Sequence, residues 1–149
     1  MMTRRTFRLA LCATAAVWAL TACSTAPTAK MVTFKATLSG GNEIPPVMTA
    51  ASGMVTANFT PATNLLIWNL NYTGLSGPAT AGHFHGPATA AQNAGVALGF
   101  NNPITSPQTG QATLTAAQAA DLMAGKWYAN IHTAKFPGGE IRGQMTLKP

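Results

Sequence analysis

The sequence is short of the residue types from which most active sites are built. Among 149 residues there are two cysteines, three carboxylates and three histidines. Glu43, Asp121 and Glu140 are too few and too scattered for a paired-carboxylate hydrolase. Serine and threonine are abundant, yet no Gly-x-Ser-x-Gly elbow is present. No strand–helix–strand rhythm points to a parallel sheet, and no internal repeat is visible. The longest apolar run, Leu9 to Leu20, falls short of the roughly 20 residues that span a bilayer. The pairs Gly40-Gly41 and Gly138-Gly139 open no helix, so they read as tight turns rather than phosphate cradles.

That apolar run follows Arg4, Arg5 and Arg8, and together they read as an export leader over residues 1–22. Leu20-Thr21-Ala22-Cys23 resembles a bacterial lipobox, which implies cleavage before Cys23 and acylation of that residue. The acyl chains would then hold the protein on a membrane at about 0.8 kcal/mol per buried methylene. Ser24 after the cysteine favours the outer membrane in a cell that has two. Thr3-Arg4-Arg5-Thr6-Phe7 resembles the twin-arginine motif, so export by the general or the twin-arginine pathway stays open.

Without the leader the formal charge falls from +6 to +3, because three arginines go with it. No basic cluster remains, which argues against nucleic acid as a partner. Cys12 leaves with the leader and Cys23 is the lipid site, so no disulfide is expected. Residues 23–32 are small, polar and proline-containing and read as a lipidated tether. Residues 33–149 suffice for one domain.

Within that domain the text is all-β. Short runs rich in Val, Thr, Phe, Ile and Trp alternate and are broken by Gly, Pro and Asn. Strands are expected at Thr33 to Leu38, Gly53 to Thr60, Leu65 to Tyr72 and Thr80 to His85. Others are expected at Val96 to Phe100, Gly110 to Leu114, Trp127 to Thr133 and Glu140 to Leu147. Pro61-Ala62-Thr63-Asn64 is a hairpin connection. Thr115-Ala116-Ala117-Gln118 is a capping box for one short helix ending at Gly125, seated on the sheet by Leu122 and Met123. These features predict an antiparallel Greek-key sandwich, immunoglobulin-like or superoxide-dismutase-like, with one short helix.

The histidines carry the chemistry. In Gly82-His83-Phe84-His85, strand alternation puts His83 and His85 on one face and Phe84 on the other. In Tyr128-Ala129-Asn130-Ile131-His132 it puts Ile131 inward and Tyr128, Asn130 and His132 outward. If the two strands are neighbours, all three imidazoles meet. Imidazole suits copper or zinc, and three of them leave a coordination position open. Glu140, Arg142, Glu43 and Asn130 are candidates for the outer partners that orient ligating rings. Alternatively the histidines are structural, donating to backbone carbonyls.

Four blocks resemble the CHRD domain, the module repeated in the animal developmental antagonist chordin and found singly in bacterial envelope proteins. They are Glu43-Ile44-Pro45-Pro46-Val47, His83-Phe84-His85-Gly86-Pro87, Tyr128-Ala129-Asn130-Ile131-His132-Thr133 and Pro137-Gly138-Gly139-Glu140-Ile141-Arg142-Gly143-Gln144. The resemblance runs from about Thr33 to Leu147 and implies fold and address but no settled activity. The HxH strand is also similar to copper–zinc superoxide dismutase. This chain departs from that enzyme in having three histidines where its copper takes four imidazoles. The expectation is an envelope lipoprotein bound to a membrane by its lipid, with a copper site or, as the alternative, a zinc site. A metal-free module that binds a protein or glycan is the second reading, and an enzyme the third.

Overall fold

The structure is a computed structural model that describes residues 30–148. The leader, the lipid site Cys23 and most of the tether lie outside the described residues. Nine strands are described: β1 (Val32–Ser39), β2 (Ser52–Thr60), β3 (Leu65–Thr73), β4 (Ala79–His85), β5 (Val96–Gly99), β6 (Gln108–Thr113), β7 (Tyr128–Thr133), β8 (Ile141–Gln144) and β9 (Thr146–Leu147). A 3-10 turn, Gly40–Asn42, follows β1, and helix α1 (Ala116–Met123) precedes β7. The expected strands are all present, with ends moved by a residue or two and the last one broken at Met145.

All pairings are antiparallel, in the order β5-β4-β7-β8-β1-β2-β3-β6, with β9 also on β1. The all-β architecture with one short helix is therefore as expected. Its two faces come from one sheet that curls over. β4 and β3 stand five strands apart in that order, about 24 Å in a flat sheet. Yet the rings of Phe84 on β4 and Trp68 on β3 meet edge to face at 5.5 Å. The curl closes a single core of Phe34, Leu38, Val55, Phe59, Leu66, Trp68, Leu70, Phe84, Trp127 and Ile131, each at most 1 % exposed. Those on β1, β2 and β3 occupy alternate positions, so burial there follows the period-two pattern.

Local chemistry sets the joints. The β2–β3 turn holds Asn64 at φ 54, a conformation asparagine tolerates better than most residues. In α1 the Thr115 hydroxyl accepts from the Gln118 amide, while the Gln118 side chain accepts from the Thr115 amide. Gly125 closes the helix at φ 70. Leu122 seats the helix as expected, but Met123 does not, being 41 % exposed. An eight-residue helix buries only one narrow stripe, here Ala119 and Leu122.

Candidate metal centre

The core faces of β4 and β7 carry Phe84, Ala129 and Ile131, all fully buried. Alternation sends their neighbours to the outer face, where register aligns them in rows across β4, β7 and β8. His83 pairs with Asn130 and Asn130 with Arg142; His85 pairs with Tyr128 and Tyr128 with Gln144; Ala81 pairs with His132. The outer face of this half-sheet is thus polar.

The connection between β4 and β5, residues 86–95, lies over much of that face and is pinned to it. Arg142 donates to Asn93 Oδ1 at 2.8 Å and to the Gln92 carbonyl at 2.6 Å. Gln144 Nε2 donates to the Ala88 carbonyl at 2.9 Å, and the Ala94 amide donates to Tyr128 Oη at 3.2 Å. A stack completes the support: Arg142 lies over Tyr128, and Tyr128 is parallel to His85 at 4.8 Å between ring centres. His85 is consequently buried, while His83 and His132 are half-buried.

The three imidazoles converge. One ligand nitrogen from each lies within 4.8 Å of the others, and the group could hold a metal ion. His83 Nδ1 and His132 Nε2 are 3.3 Å apart. Two nitrogens on one tetrahedral ion, with bonds of about 2.0–2.1 Å, stand about 3.3–3.4 Å apart. Two rings are oriented by backbone. His85 Nδ1 faces the Ala94 carbonyl at 3.0 Å and His132 Nδ1 faces the Pro137 carbonyl at 2.9 Å. A carbonyl only accepts, so each Nδ1 carries the proton and each Nε2 presents its lone pair to the site.

Electrostatics favour neutral rings. Burial lowers the affinity of His83 for a proton, and nearby positive charge on His132 or His85 would lower it further. Burial also lowers His132; the bond to the Pro137 carbonyl opposes this, and His85 adds to it. Neutral imidazole is the ligating form.

The outer partners divide. Asn130 stands between the rings, with the atom assigned as its Oδ1 3.0 Å from both His85 Nε2 and His132 Nε2. Arg142 acts at one remove, through Tyr128 and the 86–95 connection. Glu43 reaches the site from behind Asn130: a Cβ placed on Gly139 would be 2.5 Å from Glu43 Oε1 and 2.8 Å from the Asn130 amide nitrogen.

Glu140 does not belong to this set. Thr49, Ser76 (twice) and Thr133 supply its four hydrogen bonds, at 2.7–2.9 Å, and none comes from a histidine. Burial pushes its carboxyl up, but these bonds outweigh it and hold the carboxyl below the ordinary range. In an unbroken strand from Glu140, alternation would put Glu140 on the face of Arg142, yet regular pairing in β8 begins only at Ile141, after the turn at Gly139. Tyr128 was missed as a site residue; only its place in the histidine-bearing strand hinted at it.

No curated protein and no solved structure matches the chain. A family model, the CHRD domain, matches residues 34–145, which include the whole centre and nearly all of the core. On that match the chain belongs to the CHRD domain family.

Proposed function

We propose that the domain is a metal-binding module in which His83, His85 and His132 hold a copper ion, with zinc as the alternative. The reading rests on one observation: three ligand nitrogens lie within 4.8 Å, two of them on rings whose far nitrogen is tied to a backbone carbonyl. Copper comes first because divalent copper binds imidazole donors more tightly than the other first-row divalent ions. Sequestering or relaying the ion suits a site with an open coordination position and no paired acid and base beside it. The Cys23 motif supports an envelope lipoprotein, tethered to a membrane by its acyl chains.

A second reading has its own support. His85 and His132 are fully hydrogen-bonded through Ala94, Pro137 and Asn130, an arrangement that stands without an ion. The domain would then be an interaction module for a protein or glycan. Elemental analysis and titration with copper and zinc separate the two. We expect one ion per chain in the parent and none in the His83/His85/His132 triple alanine variant. Equal binding by both proteins would leave the interaction module as the reading.

A further inference from the structure

The amide of Asn130 has an unusual position. The atom assigned as its Oδ1 lies 3.0 Å from two imidazole nitrogens, and both carry lone pairs in the neutral rings, so an oxygen there would face two acceptors. His83 Nδ1, 3.3 Å from His132 Nε2, can donate to that ring, but among the described residues no donor other than Asn130 reaches His85 Nε2. Of the two ends of a carboxamide, only the NH2 donates, and which end faces which way is assigned from the hydrogen-bond network. The NH2 of Asn130 therefore faces His85 and His132, one hydrogen to each, and fills the space an ion would share.

The carbonyl end then points back towards Glu43. That carboxyl is 6 % exposed, and its Oε1 has no hydrogen-bond partner. A buried carboxyl oxygen without a partner is costly, and so invites an explanation. The missing side chain of Gly139 opens the space in which amide and carboxyl face each other; any Cβ there would strike both. Burial pushes Glu43 up to about 7, while Arg142 on β8 pulls the other way; Lys135 lines the same cavity from the β7–β8 turn. A carboxyl group suits an amide in either orientation. As the acid it donates to the amide oxygen, and as the carboxylate it accepts from the amide NH2.

We propose that Asn130 and Glu43 are a positioning pair for the metal centre: the Asn130 amide occupies the empty site as a stand-in for the ion, and Glu43 receives the amide when it turns away. This rests on the three-histidine metal reading. With an ion on both lone pairs, the NH2 has nothing to donate to on that side, so the amide reverses onto the Glu43 carboxyl, which offers an accepting oxygen as the acid or as the carboxylate. Neither residue ligates the ion. Both set how readily the histidine lone pairs become free.

The test uses the purified protein, labelled with nitrogen-15, and zinc, or copper(I) if zinc is not taken up; both ions are diamagnetic. In the metal-free protein, through-hydrogen-bond correlations should connect the Asn130 side-chain nitrogen to Nε2 of His85 and of His132, and the ion should abolish them. Correlations to neither ring would overturn the proposal. Glu43→Leu, which can neither donate nor accept, should weaken binding by about 10–100-fold, the usual cost of losing an outer partner. Glu43→Gln, which does both, should restore most of it. A Leu variant that binds like the parent, or a Gln variant as weak as Leu, would also overturn it. A parent that takes up no ion would instead sink the metal reading itself.

Discussion

The guanidinium carbon of Arg142 lies 3.4 Å from the centre of the Tyr128 ring. Tyr128 stacks in turn on His85, its plane 5° from that ring's. A planar cation on an aromatic face is favourable, and more so when water is excluded, as it is here with Arg142 1 % exposed. The same guanidinium bonds Asn93 and the Gln92 carbonyl, so one side chain orients a candidate ligand and fastens the segment above it.

Removing that side chain should loosen both. Arg142→Ala should cost on the order of 3 kcal/mol, read by chemical denaturation, since two charge-assisted bonds are lost. Amide exchange should rise first in residues 86–95. Arg142→Lys should recover little, because an ammonium neither stacks flat nor forks. Unchanged exchange in that segment would contradict the clamp.

Metal affinity should fall with acid, but late. Free histidine titrates near 6.5, and His83 and His132 are both held below that. Competition between proton and ion should therefore begin below pH 6.5. Titrations at stepped pH should show nearly constant affinity from about 7.5 to 6.5 and a decline beneath it. A decline centred above 6.5 would mean that the rings are not shielded as described.

Glu43 makes an opposite contribution to the metal-free protein. Its folded value, about 7, lies above its unfolded value of 4.5, so folding favours the protonated acid. The stabilisation is complete below pH 4.5 and is lost as pH rises through 7. At about 1.4 kcal/mol per pKa unit this amounts to a few kcal/mol across the window. Comparing Glu43→Gln with the parent at pH 4.5 and pH 8 isolates it from the histidines. The variant should gain relative stability at pH 8, and parallel curves would refute the assignment.

The membrane address depends on Cys23. In cells, Cys23→Ser should abolish acylation and move the protein from the membrane to the soluble fraction. A variant that stays acylated and membrane-bound would exclude the lipobox.

Much of this protein was legible before its fold. Strand alternation is local: a side chain's face follows from its neighbours, so Phe84 and Ile131 going inward forced His83, His85 and His132 outward. The α1 cap and the β2–β3 turn were legible for the same reason, since both are satisfied within four residues. Tertiary structure alone decided which strands are neighbours. It set β4 beside β7, which turned two outward-facing strand segments into one cluster, and curled the sheet until Trp68 met Phe84. It also separated the carboxylates. Glu43 is 87 positions from Asn130 in sequence and arrives behind it because Gly139 leaves room. Glu140, whose strand pattern pointed to the centre, is instead held by Thr49, Ser76 and Thr133. A buried polar group goes where the chain as a whole can satisfy its hydrogen bonds, and no local pattern records where those partners will be.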